Sequence, residues 1–172
     1  MQTIRLNLNL QTVGHNCTVM NNYEKLFHEE NDNLKKLGVK LNAPATISEL
    51  ITLEQVLNCK LPTELTTFYQ YCNGFETDDH LFRVIPIQEI IEYKSELPDN
   101  TFHFAEYMIY SDQWLIKVYN SEKYEILNDD HKSKELLGLN NSILKFLKAY
   151  LNGGLFGKTE SESFWNRINN YT

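Results

Sequence analysis

Asn152 to Thr159 reads NGGLFGKT, one residue short of the phosphate loop G-x-x-x-x-G-K-[ST], whose backbone N–H groups cradle a nucleotide. Asn152 stands where that loop has its first glycine, and the segment follows a helical pattern. A phosphate loop instead follows a strand and opens a helix. A glycine-rich helix stop explains the same residues, so no nucleotide cofactor is expected. Asp-Asp-His occurs twice, at Asp78-Asp79-His80 and Asp129-Asp130-His131, each in an expected loop. Carboxylates beside a histidine are metal-ligand chemistry, but adjacent residues seldom aim at one ion and no further ligand is spaced to complete a shell. The default is solvated loop charge, and no metal is expected. Acidic loops have a second use, which is to meet a basic protein surface.

The five histidines are scattered, and none stands beside a nucleophile in a recognised arrangement. Of the three cysteines, Cys17, Cys59 and Cys72, the last completes the apolar face of a helix and reads as a small buried residue rather than a nucleophile. Their odd count and wide spacing oppose a disulfide framework or a zinc ribbon, and reduced thiols suit the cytosol. Glu54 falls within an apolar helical stripe. A carboxylate removed from water needs donors, so a neighbouring loop or helix end must supply them, or Glu54 lies at the stripe's edge. No catalytic residues are expected, and the chain is read as a non-enzyme.

A net charge of -7 argues against nucleic-acid binding, which needs a basic face to neutralise phosphates. The 42% hydrophobic and 12% aromatic content rules out wholesale disorder, and the length suits one principal domain. No apolar run approaches a membrane span, and the N-terminus lacks the continuous apolar region of a leader. The expected location is cytoplasmic.

The elements that must position these groups are legible in turn. Ile4, Leu6, Leu8 and Leu10 alternate with polar residues as in a half-buried strand, which either pairs at a sheet edge or stays an appendage. Tyr23 to Leu37 reads as an amphipathic helix stopped by Gly38. Thr46 and Glu49 have the spacing of a capping box, and the helix they open carries Ile47, Leu50, Ile51 and Leu57 on its expected core stripe. Pro62 starts a second helix with Leu65, Phe68, Tyr69 and Cys72 facing inward, and Asn73-Gly74 supplies a positive-φ stop. Beyond it the chain turns extended. Pro86 limits Leu81–Ile85 to a strand end or an edge, and Ile87, Ile90 and Ile91 form a short helical turn. Thr101–Tyr110 and Trp114–Leu127 read as antiparallel strands with turns at 111–113 and 120–122. Ser142–Leu151 is a helix with Ile143, Phe146, Leu147, Tyr150 and Leu151 inward, ended by Gly153-Gly154. Phe164, Trp165, Ile168 and Tyr171 have roughly helical spacing in the tail, which either docks and hides Trp165 or presents it to a partner.

The order of these signals is similar to that of a known family. Pro44 after Leu41-Asn42-Ala43, the capped helix with Glu54, Leu61-Pro62 before Phe68-Tyr69, and the closing Asn73-Gly74 together resemble the SUKH superfamily. Ile85-Pro86-Ile87 with Glu89-Ile90 looks like its "L-x-P-L-x-E-I" step, and Ser142 to Leu147 looks like its "S-F-x-x-F-L" helix. The resemblance covers about residues 41 to 154. It implies an α+β fold, with N-terminal helices and a closing C-terminal helix packed on a largely antiparallel sheet. The expected organisation is an extension over 1–40, the SUKH-like domain over 41–157, and a polar tail or docking helix over 158–172.

The superfamily unites yeast cell-wall-synthesis regulators of the Smi/Knr type with bacterial immunity proteins that bind a toxin domain of the nuclease or deaminase class and block it. Two roles follow from the resemblance: a non-catalytic immunity protein, or a regulatory or scaffold module. For the first, the expected partner is a cognate toxin with a basic cleft. The candidate contact residues are Glu76, Asp78, Asp79, Asp112, Asp129, Asp130 and Trp165.

Overall fold

The computed structural model describes residues 21–108, 111–129, 136–157 and 163–170, with the side chains of 169 and 170 left aside. The strand expected at Ile4–Leu10, and with it Cys17, lies outside these residues. Among the described residues no helix is long and apolar enough to cross a membrane.

Local capping decides where the helices begin. Asn21 and Glu24 form a capping box before α1 (Asn22–Glu29). The single helix expected over Tyr23–Leu37 is broken at Glu30, and α2 (Asn31–Leu37) follows, ended by Gly38 at φ 64°. The break falls in the polar run Glu29–Asn33, which has no apolar side chain to hold one continuous helix against the core. After β1 (Val39–Leu41), Thr46 and Glu49 cap α3 (Ile47–Leu57): the Glu49 N–H donates to Thr46 Oγ1 at 3.2 Å and the Thr46 N–H to Glu49 Oε2 at 2.6 Å.

The buried stripe of α3 differs from expectation. Leu50, Leu53 and Leu57 are buried, whereas Ile47 and Ile51 are 71% and 48% exposed. At about 100° per residue, the three leucines share one narrow sector and the two isoleucines lie on its flank. The short helix α5 (Ile87–Glu92), packed on α3, favours the leucine ridge. Glu54 is half-buried and does receive donors from the loop, the Leu61 N–H at 3.1 Å and Lys60 Nζ at 2.6 Å.

Pro62 precedes α4 (Thr63–Tyr71), whose Leu65, Phe68 and Tyr69 are buried as expected. The helix ends differently from expectation, because Cys72 caps it in extended conformation. The positive φ of Gly74, 76°, serves another purpose: a Cβ there would sit 2.2 Å from the Val84 carbonyl oxygen. Glycine therefore permits close approach of two chain segments. Asn73 also has a role beyond the helix stop, since its Oδ1 accepts the Ile87 N–H at 2.9 Å and caps α5.

The strands β1, β2 (Phe75–Thr77), β3 (Phe82–Val84), β4 (Thr101–Tyr107), β5 (Asp112–Val118), β6 (Tyr124–Asp129) and β7 (Leu137–Asn140) form a seven-stranded antiparallel sheet in sequence order. Asp112 and Gln113, expected in a turn, instead begin β5, because Gln113 is held in register between Glu106 and Asp129. A 3-10 turn, Lys94–Glu96, follows α5. The helices α6 (Ile143–Leu151) and α7 (Phe164–Asn170) complete the described chain.

One core joins these parts. Tyr23, Leu26 and Phe27 of α1 and Phe164 and Ile168 of α7 belong to the same buried cluster as the sheet and α4, so packing crosses both residue 40 and residue 158. The fully buried Trp114 ring contacts Phe82, Phe146 and Phe164. This is an α+β arrangement, with the helices burying the sheet's apolar face.

Because the sheet is a meander, its turns alternate between two ends. At the end where β6 begins and β7 finishes, Glu64 of α4 ties distant elements together. Its Oε1 accepts from Ser142 Oγ at 2.7 Å and the Leu144 N–H at 2.9 Å, and its Oε2 from the Tyr124 hydroxyl at 2.7 Å. The Tyr124 oxygen in turn accepts the Ile143 N–H at 2.7 Å. Glu64 thereby satisfies the start of α6 from a helix about eighty residues earlier in the chain.

Candidate functional site

The opposite end of the sheet gathers the expected acidic residues. There β1 starts, β2 turns into β3, β4 turns towards β5, and β6 finishes. Asp78 and Asp79 occupy the β2–β3 turn, Asp112 opens β5, Asp129 closes β6, and Glu76 is central in the short strand β2. Asp130 lies outside the described residues, as does His131.

These residues do not form one uniform patch. Lys40, Glu76, Arg83, Glu106, Gln113 and Asp129 make a single cross-strand row over six strands. Side chains alternate between sheet faces, so this row lies opposite the core residues Phe75 and Phe82. Asp112 pairs with Tyr107 on the core side. Arg83 joins Glu106 at 2.6 Å and Glu89 at 2.8 Å.

The turn itself separates its charges. Asp78 pairs with Lys40 at 2.6 Å, and His80 Nδ1 is 3.5 Å from Glu76. Asp79 Oδ1 accepts the Thr77 hydroxyl at 2.6 Å and the Leu81 N–H at 3.0 Å. The hydrogen bond from Thr77, then that from Leu81, holds the Asp79 carboxyl below its usual range, so it is anionic at neutral pH. Asp78, Asp79 and His80 thus face three different partners. Among the described residues no group of three or more His, Cys, Asp or Glu converges on a common ion position.

Apolar side chains stand beside these acids. Leu81 is 39% exposed, Met108 49% and Phe156 69%. The Met108 N–H donates to the Leu81 carbonyl at 2.7 Å and joins the two turns. Phe156, after α6, packs edge-on against Tyr107 with ring centres 5.5 Å apart. Between the β2–β3 turn and the segment after α6 lies a cleft of 320 Å³ lined by Asp79, Tyr107, Tyr150 and Phe156. Tyr150 stacks on Phe82 at 3.8 Å and forms part of its wall.

The sequence places Leu81 and Met108 within expected strands and Phe156 in a glycine-rich helix stop, so none of the three stood out as a contact before the turns were brought together. Trp165, the other candidate contact, is half-buried on α7, with its ring centre 6.0 Å from that of Trp114.

Other possible sites have less to offer. A larger cleft, 570 Å³, lies at the Glu64 end beside Tyr119, Lys123, Glu125 and Lys145. There the Tyr119 hydroxyl donates to Glu125 at 2.9 Å, and Lys117 and Lys123 stand about its ring at 5.5 and 5.3 Å, so the carboxylate and the ring already have partners. Burial pushes the Cys72 thiol up to about 12, far from a thiolate at neutral pH. Gly153 and Gly154 have φ of 141° and 70° just after α6, while Lys158 and Thr159 of the near-phosphate loop lie outside the described residues.

The residues of the sequence signature take these places in the fold. Pro44 is exposed just before the Thr46 cap, Leu61 and Pro62 are buried at the α3–α4 connection, Phe68 and Tyr69 are fully buried, and Asn73 and Gly74 fix α5 and β3. No curated protein matches the chain. Residues 44–148, well over half of the chain, match the SMI1/KNR4 family (SUKH-1), and they run from two residues before the α3 cap into α6. The match takes in the capped helix pair, the whole of β2 to β7 and the Glu64 tie, so the chain belongs to the SMI1/KNR4 family (SUKH-1).

Proposed function

We propose that this chain is an immunity protein that neutralises a bacterial toxin domain of the nuclease or deaminase class by non-catalytic contact, in the cytoplasm. Its contact surface is the acidic end of the sheet. The observation that carries this reading is the placement of exposed Leu81, Met108 and Phe156 among Asp78, Asp79 and Asp112. An apolar centre excludes water, and a charged rim gives specificity and a faster encounter. Nuclease clefts are basic because they hold phosphates, so a chain of net charge -7 is drawn towards them. Glu76 and Asp129 extend the rim, and Asp130 and Trp165 are the further candidate contacts.

Co-expression with the product of the adjacent gene tests the role. Where that product carries a toxin domain, the chain should restore growth and co-purify with it. Charge reversal at Asp78, Asp79 and Asp112 together should slow association and flatten its salt dependence. If rate, salt dependence and rescue all stay at wild-type values, the surface assignment is wrong.

A further inference from the structure

The cleft beside Asp79 has more definite chemistry than a general acidic surface. Phe82, Tyr107, Tyr150 and Phe156 give it aromatic walls, and Asp79 gives it a carboxylate. Both hydrogen bonds that other residues of the turn make to Asp79 fall on Oδ1, so Oδ2 accepts from no other residue among the described ones. Neither the Tyr107 nor the Tyr150 hydroxyl has a hydrogen-bond partner among the described residues. Burial raises the pKa of both phenols, with Asp79 adding to the effect, so they remain neutral oxygens able to accept a donor.

Aromatic faces attract cations, and a guanidinium adds a planar fork of five donors that can reach a carboxylate and neighbouring oxygens together. An ammonium offers a single compact charge and stacks less well. We propose that this cleft receives an arginine side chain of the protein partner, with its guanidinium paired to Asp79. The inference rests on the reading of the partner as a basic protein and names the residue that anchors it. Lys36 also lines the cleft and makes no ion pair among the described residues. It is a resident cation that competes with the incoming one.

The test uses the full chain and N-acetyl-arginine amide, followed by amide NMR shifts at Leu81 and Gly154. The lysine and citrulline analogues serve as comparisons, citrulline keeping the planar shape without the charge. Saturable millimolar binding of the arginine compound is expected, with citrulline about tenfold weaker, a difference of about 1.4 kcal/mol. Asp79→Asn keeps an Oδ1 acceptor for the turn and should weaken arginine binding about tenfold, whereas Lys36→Ala should strengthen it about threefold. Phe156→Ala, at an exposed position, should also weaken it.

Equal binding of citrulline, tighter binding of the lysine compound, or an Asp79→Asn variant that binds arginine like wild type would each overturn the proposal. The titration needs no toxin, so it decides the chemistry of the cleft apart from the growth assay, which decides the role. Full growth rescue and unchanged toxin affinity in a variant that has lost arginine binding would remove the cleft from the interface.

Discussion

Glu64 and Asp79 stand at opposite ends of one sheet and use their charge in opposite ways. Glu64 has both oxygens filled by the chain itself, from Ser142, Leu144 and Tyr124. Asp79 has one oxygen engaged in its own turn, at the edge of a cleft. A carboxylate whose donors come from sequence-distant elements holds a fold together, because losing it strands several donors at once. A carboxylate fixed only by its neighbours is held in place locally and stays available. The family's helix pair contributes to the closed end, and the short hairpin turns build the open one.

The largest expected effect is at the closed end. Glu64→Ala strands the Leu144 N–H and removes the acceptor for two hydroxyls, so urea unfolding should show a loss of about 3 kcal/mol. A loss under about 1 kcal/mol would mean that water replaces it freely and that the contrast between the two ends is false. Tyr124→Phe keeps the ring but loses the bridge between Glu64 and the Ile143 N–H, and should cost about 1.5 kcal/mol.

At the open end the effects should fall on binding. Asp79→Lys should slow association with the proposed toxin partner about tenfold at low salt, with the difference shrinking as salt is added. Its unfolding free energy should stay within about 1 kcal/mol of wild type. A variant that unfolds like Glu64→Ala would make Asp79 a structural residue too.

The smallest effect is a pH dependence. Asp79 has a folded-state pKa below its unfolded value, first through Thr77 and then Leu81, so its contribution to stability is fully present above the unfolded pKa. It is lost as pH falls through the lower, folded value. Asp79→Asn should remove that acid-side loss, a few tenths of a kcal/mol once solvent screening is allowed for. Acid titrations of stability for the two chains should therefore converge at low pH and separate above it.

How far the sequence could be read followed the range of the interactions. The Thr46 and Glu49 cap, the Pro62 restart and the Glu54 loop contacts involve residues within seven positions of one another, and each matched its expected role. The rotation of α3 was hidden, since Ile47, Leu50 and Leu53 are equally apolar and only the packed neighbours choose between ridges. The strands β1, β2 and β7 were too short, three or four residues each, for alternation to rise above chance. Nothing near Glu64 in the sequence marks it out from other acidic residues of a first helical turn, because its partners come sixty to eighty residues later.

By itself the sequence determined the family signature, the helix boundaries set by caps and proline, the excess of negative charge and the presence of an acidic turn at Asp78-Asp79. Local hydrogen bonding and φ preferences act between near neighbours, so they are written in consecutive residues. The tertiary structure alone decided that Gly74 lets one segment pass against Val84, that Glu64 closes α6, and that Asp79, Tyr107, Tyr150 and Phe156 share a cleft. These depend on the meander and its covering helices bringing remote residues into contact. That placement is set by burial of one common core rather than by any short run of sequence.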